Sequence, residues 1–290
     1  MYSNKYDKLR GRWSGKTYTQ LRKLGSGGIG EIYLVADDSG ECFAMKISQD
    51  LVSITKEYAN LKKFFGMCFV PEVYELDDCE KNNRLYHFFI MEYIEGYTLR
   101  EALSREKLSF GSKLDIVRIV AKALKDLNDQ GYVYTDLKYE NIMIDRRNGL
   151  IRLIDLGSIT PIGGRVKEYT PMYDRSRWNA GDRTADTAYQ VFAIIILLIS
   201  MLLNRDVDPD KEELEKVLDR LKKSSFPKTL YETVGDCVYG NIRDCGSLSE
   251  KLSGVCRCSF AGRRLTNALN ALIAFLSVML LVLIRTVFAL

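Results

Sequence analysis

The sequence predicts an α+β chain built as two lobes, β-rich first and helix-rich after, with one apolar helix at its end. Three observations carry this. Before Gly96, short runs of β-branched and aromatic residues alternate with Gly and Asp. After Gly96, apolar residues recur at helical spacing. At the C-terminus, Ala268 to Ile284 contains no charged residue. A β-rich part followed by a helical part implies two layers of structure meeting at a cleft.

The strand-like runs are "TYTQLRKLGSGG", "GEIYLVADDSG", "ECFAMKIS" and "RLYHFFIMEYIEG", with "SITKEYANLKKFFG" read as one helix among them. In "SKLDIVRIVAKALKDLNDQG", Ile116, Val120, Ala123 and Leu127 define one helical face, and Gly131 is the stop signal. "IMIDRRNGLIRLID" reads as a hairpin about Asn148-Gly149. "VFAIIILLISMLL" (Val191 to Leu203) is too short to span a bilayer comfortably and reads as a buried core helix. "DPDKEELEKVLDRLKK" predicts a helix capped by Asp208, with Pro209 in its first turn.

With 290 residues, 47% of them hydrophobic, the chain is able to bury a sizeable core, and 28% interspersed charge argues against disorder. The formal charge of +4 is too small to indicate nucleic acid by itself. Seven unpatterned cysteines argue against a secreted disulfide framework, and "CRC" at Cys256 to Cys258 lacks the further ligands of a zinc site. The polar N-terminus excludes a secretory signal. Residues 268–290 are about as long as a bilayer-spanning helix, with Arg285 placed to snorkel at one interface and Arg263 and Arg264 on the other side. Those arginines favour a cytoplasmic body.

The chemistry-bearing residues follow in a fixed order. "LGSGGIGEIYLV" contains Gly25, Gly27 and Gly30 and runs on into a strand, which suits a glycine-rich hairpin over phosphates better than a dinucleotide turn. Lys46 lies in a strand sixteen residues after Gly30, and Glu57 in the next helix is placed to pair with it. "YTDLKYENIMI" supplies Asp136, Lys138 and, five residues after the aspartate, Asn141. Asp155, in "IDLGS", follows nineteen residues after Asp136.

This order and spacing resembles the Hanks-type (eukaryotic-like) Ser/Thr protein kinase family over about residues 18–252. The resemblance implies a bilobal protein-kinase-like fold that uses ATP and Mg2+. Asp136 would serve the acceptor hydroxyl, Lys138 would neutralise the transferring phosphate, and Asn141 and Asp155 would hold the metal. Gly25, Gly27, Gly28, Gly30, Ile32, Ala44, Lys46, Glu57, Met91, Glu92, Tyr93 and Met143 would surround the nucleotide. It implies a kinase domain over residues 1–253, with lobes at about 1–92 and 97–253, a linker at 254–267 and a transmembrane helix at 268–290. "GRWSGKTYT", "SITKE" and "VKEYTPMYDRSRW" are similar to membrane-anchored members of this family from spore-forming bacteria, which implies a sporulation context.

The chain also departs from the family. Tyr134 and Thr135 stand where His-Arg precedes the catalytic aspartate. Without that arginine, control by a phosphate on the Ile159 to Thr170 segment is not expected. Ser176 and Arg177 replace the Pro-Glu that ends the activation segment, leaving its usual ion pair missing or rebuilt, with Arg243 as a conceivable partner. Gln190 takes the place of an aspartate and is expected to accept from the catalytic-loop backbone.

The expected function is therefore phosphorylation of Ser or Thr on protein substrates, by an enzyme held single-pass in the cell membrane with its kinase domain in the cytoplasm. The lipid bilayer and a second copy of the chain are expected partners, and nucleic acid is disfavoured because the linker is short. The alternative is a catalytically weak pseudokinase serving as a membrane-bound scaffold. The intact Lys46, Asp136 and Asp155 weigh against it.

Overall fold

The computed structural model describes residues 7–28, 30–105 and 107–256. The segment expected to cross a membrane, 268–290, lies outside the described residues, as do residues 257–267 of the expected linker. Among the described residues, no helix is long and apolar enough to cross a membrane.

The first part contains strands β1 (Lys8–Arg10), β2 (Thr17–Gly27), β3 (Gly30–Ala36) and β4 (Cys42–Ser48), helix α1 (Leu51–Lys63), and strands β5 (Val73–Lys81) and β6 (Arg84–Glu92). They form one antiparallel sheet in the order β1-β2-β3-β4-β6-β5. The strand alternation gives this sheet two apolar faces. Ala44, Phe89 and Met91 join the main core, shared with Ile54 and Leu61 of α1. Met45, Ile47, Phe88 and Ile90 point to the other face and pack with Leu9, Tyr18, Val35 and Cys79 in a separate core.

Strand β1 is not evident in the sequence, and it closes the sheet. After β1, the backbone N–H of Arg12 donates to the carbonyl of Asp78 on β5 at 2.8 Å. The N–H groups of Trp13 and Ser14 donate to the Asp77 carboxylate at 3.0 and 2.9 Å. Burial pushes that carboxyl up, but the bonds from Ser14 and Trp13 outweigh it and hold its pKa below the usual carboxylate range. Gly11 admits no side chain here, because a Cβ would lie 2.3 Å from the Asp77 carboxylate. Strand β5, "VYELDDCEK", also escapes the sequence pattern, since its charges serve this closure and the surface.

The second part contains β7 (Gly96–Thr98), α2 (Leu99–Arg105), α3 (Phe110–Asp129), β8 (Tyr132–Tyr134), β9 (Ile142–Asp145), β10 (Ile151–Leu153), β11 (Ile159–Pro161), α4 (Thr187–Leu203), α5 (Leu214–Lys222) and α6 (Lys228–Val238). The fold is thus α+β and bilobal, a β-rich N-terminal sheet with a helical C-terminal part. Helix α4 carries the "VFAIIILLISMLL" run and is buried along nearly its whole length, at the centre of the main core. The hairpin at Asn148-Gly149 forms as β9 and β10.

Two helical expectations need correction. The buried face of α3 centres on Leu114, Val117, Ala121 and Leu124, with Val120 and Leu127 shared, while Ile116 and Ala123 are only partly buried. Leucines and alanines on adjacent stripes of the same helix make both faces readable. The helix expected from Asp208 instead begins at Leu214. Asp208 caps only a local turn, accepting from Asp210 N, while its carbonyl accepts from Lys211 N and Glu212 N.

Candidate active site

The cleft face of the N-terminal sheet presents the glycine-rich hairpin. Strands β2 and β3 pair through Gly25 opposite Ile32 and Gly27 opposite Gly30. A Cβ at Gly25, Gly27 or Gly28 would meet nothing within 4 Å, so these glycines leave an open backbone surface. Gly30 differs: a Cβ there would lie 2.4 Å from the carbonyl of Ile47. It is required by the close approach of β3 to β4, a packing reason the sequence pattern could not separate from a ligand reason.

Lys46 lies opposite Ile32 on β3 and Phe89 on β6. It shares the cleft face with Ala44, which lies opposite Met91. Its ammonium makes an ion pair with Glu57 of α1, and Asp155 lies 3.5 Å away. Both members of the Lys46–Glu57 pair are buried. Burial works against charge on Lys46, yet Glu57 and Asp155 outweigh it and hold its pKa above the ordinary lysine value. The position of α1 that allows this pairing is fixed by two bridges to the segment after Asp155. Asn60 donates to the carbonyl of Leu156 at 2.7 Å, and Lys56 pairs with Glu168 at 3.0 Å.

The catalytic-loop residues converge below. Asp136 pairs through one carboxylate oxygen with Lys138, and its other oxygen accepts the Thr170 hydroxyl at 2.7 Å. The Asn141 amide donates to the carbonyl of Asp136 at 2.9 Å. Asp155 accepts from Gly157 N at 3.1 Å. Met143, on β9, lies opposite Thr98 on β7 and Arg152 on β10. Met91 is buried at the end of β6, and the Glu92 side chain turns to Arg152 and Arg147. Tyr93 accepts from Arg22 through its hydroxyl at 3.0 Å.

The departures are filled by other contacts. Tyr134 is fully buried, and burial holds its phenol well above the ordinary tyrosine value. Thr135 donates its hydroxyl to the carbonyl of Ser158 at 2.9 Å, with the carbonyl of Glu168 at 3.0 Å. Gln190 accepts from Tyr134 N at 2.8 Å, as expected, and its amide nitrogen faces Leu124 O, Asn128 and Cys245. Arg243 bonds the carbonyl of Gly240 and takes no part in rebuilding the missing pair.

That pair is replaced twice. Arg175 makes two bonds to Asp186, at 2.9 and 2.8 Å, while Asp186 caps α4 by accepting from Tyr189 N. Arg183 makes two bonds to the buried Asp174, at 2.9 and 2.6 Å. The sequence does not reveal Thr170 as a partner of Asp136, nor Ser158, whose hydroxyl accepts from Asp136 N at 3.1 Å. Ser158 stands as a small hydroxyl residue beside Gly157, while the signal for Thr170 is its match, with Tyr173, to the T-x-x-Y that closes the family's activation segment.

Comparison with known families matches residues 18–257 to the protein kinase domain. The chain belongs to the protein kinase family. Among curated relatives, it is 32% identical over 219 residues to the serine/threonine-protein kinase YabT of Bacillus subtilis, covering 73% of this chain and 64% of YabT. It is 30% identical over 203 residues to the serine/threonine-protein kinase pkn2 of Myxococcus xanthus, covering 64% of this chain and 24% of that one. A probable serine/threonine-protein kinase of Dictyostelium discoideum is 35% identical over 147 residues, covering 47% and 21% of the two chains. The chain therefore spans less than two thirds of the length of each of these relatives. Membership in the family implies use of ATP.

Proposed function

We propose that this chain is an ATP-dependent protein serine/threonine kinase. The observation that carries the reading is the arrangement at Asp136, where one carboxylate oxygen holds a hydroxyl and the other holds Lys138. A hydroxyl in that position has a base to take its proton and a cation beside it. In the proposed step, an acceptor Ser or Thr hydroxyl takes the place of Thr170 at Asp136. Its oxygen forms a bond to the γ-phosphorus, its proton goes to Asp136, and the bond to the β-phosphate oxygen breaks to release ADP. Lys138 offsets charge on the transferring group, and Lys46, fixed by Glu57, holds the remaining phosphates.

The residues fit ATP and magnesium. The open backbone at Gly25, Gly27 and Gly28 leaves room for phosphates. Asp155 and the Asn141 amide offer the hard oxygen donors that magnesium prefers. When bound, magnesium would neutralise phosphate charge. Ile32, Ala44, Met91, Glu92, Tyr93 and Met143 are proposed to border the base.

We further propose control of the non-RD type. The neutral Thr135 bonds already join the catalytic loop to the segment carrying Thr170, so no phosphate is needed to order it. Phosphatase treatment is expected to leave activity unchanged; a large loss would overturn this. The apolar run at 268–290 supports a single-pass membrane anchor with a cytoplasmic kinase domain, acting on membrane-proximal proteins and favouring pairing of two copies. The likeness to YabT supports a spore-former context.

The test is incorporation of labelled ATP by the full chain with magnesium, beside Asp155→Asn. Incorporation into serine or threonine by the parent alone is expected. Equal incorporation in both, or none in either, would leave the scaffold reading in its place.

A further inference from the structure

The acceptor position at Asp136 is bordered by a chain of contacts that ends in an arginine. Thr170, bonded to Asp136, precedes the short turn Pro171–Tyr173, and Tyr173 N donates to the carbonyl of Thr170 at 2.9 Å. The Tyr173 ring meets Tyr139 edge to face, centroids 6.1 Å apart. Over Tyr139 lies the guanidinium of Arg100, 4.6 Å from the ring centroid. Arg100 also donates to Glu140 at 2.9 Å and to both carboxylate oxygens of Asp206 at 2.9 Å. All three charged side chains are about half exposed, so they face the solvent at the outer end of this chain of contacts.

A guanidinium lying on an aromatic face and bonded to two carboxylates is the arrangement by which a protein surface takes up an arginine from a peptide. Here the arginine comes from the chain's own α2, and Glu140 stands one residue before Asn141 in the catalytic loop. We propose that Arg100 is a specificity-determining residue of the kinase: it occupies the place beside the acceptor that a basic substrate residue would fill, and so makes the enzyme indifferent to arginine or lysine next to the phosphorylated hydroxyl. Removing it leaves Glu140, Asp206 and the Tyr139 face unpaired, a surface that selects for a cation. Discrimination of this kind is a difference between partners, produced as much by blocking one as by attracting another.

The inference rests on the kinase reading, and its test is read as a ratio within each protein. Serine peptides carrying a single arginine at each position around the acceptor are compared with an all-alanine counterpart, using the full chain, Arg100→Ala, and Arg100→Ala combined with Glu140→Gln. In the parent, kcat/KM for arginine and alanine peptides is expected to agree within about threefold at every position. Arg100→Ala is expected to raise the ratio about tenfold at one or two positions, and Glu140→Gln to remove most of that gain. A parent that already favours arginine by more than this, or an Arg100→Ala ratio that does not move, overturns the assignment while the kinase reading stands. No incorporation from any peptide in any of the three proteins overturns the kinase reading, and the assignment falls with it.

Discussion

The floor of the cleft and the platform beside it have been built under different constraints. On the floor, Lys46, Glu57, Asp136, Lys138, Asn141 and Asp155 keep both their residue types and their mutual contacts. On the platform and beneath it, the side chains have been exchanged while the mechanical links survive. Gln190 still holds the catalytic-loop backbone, and Thr135 still joins that loop to the activation segment. The end of the segment is still pinned, now through Arg175 to Asp186 at the cap of α4 and through Asp174 to Arg183 in the loop before it. A charge that must meet a phosphate or a metal admits few replacements. A support needs only a bond of the right length between two backbones, and many side chains supply one.

Substitutions on the two sides should break the molecule differently. Lys46→Met on the floor is expected to lower kcat about 100- to 1,000-fold, because it removes phosphate contacts, and to lower the melting temperature only secondarily, by leaving the buried Glu57 without its cation. Comparable loss of stability instead of rate would erase the distinction. Asp174→Ala on the platform leaves Arg183 without its partner at a fully buried carboxylate site. It is expected to cost about 3 kcal/mol in denaturant unfolding.

The supports should also respond to alkali. Burial drives the Tyr134, Tyr173 and Tyr189 phenols well above the ordinary tyrosine value. A phenol whose pKa is raised in the folded chain contributes stability that is present below the unfolded value near 10 and is lost as pH rises through the folded value. The melting temperature should therefore fall from pH 10 upward. Phenolate absorbance should rise together with unfolding; ionisation of these tyrosines in a chain still folded would contradict their burial. Smallest is Thr135→Val, which removes the hydroxyl bonds to Ser158 and Glu168 but keeps the shape. It should cost about 1 kcal/mol and lower kcat several-fold. Unchanged kcat in this variant would mean that the Thr135 link is dispensable.

The sequence reveals the floor more fully than the supports, for the same reason. Glycines, a strand lysine and paired acidic residues at fixed spacing serve few purposes besides holding phosphates and metal, so Gly25, Lys46, Asp136, Asn141 and Asp155 are all legible. Gln190 is legible because it stands at a position with a known partner. The partners of Thr170 and Ser158 are not, since a hydroxyl in a loop is common and its acceptor depends on the fold. Arg175, Asp186, Asp174 and Arg183 are four charges in a highly charged stretch, and no pattern in the sequence says which cation meets which anion. Strand β1 escapes notice because three residues, "KLR", are too few to show alternation. Its effect lies in what it meets at the far edge of the sheet.

That closure bears on where the domain can be cut. The family match begins at residue 18, after β1 and its turn. A chain started there would lose Leu9 from the outer core and the N–H groups that satisfy Asp77. It would also bare the β2 edge to other chains. Residues 7–16 thus act as a lid fastener for the N-terminal sheet, and a fragment trimmed to the family boundary is expected to clump before its catalysis can be measured.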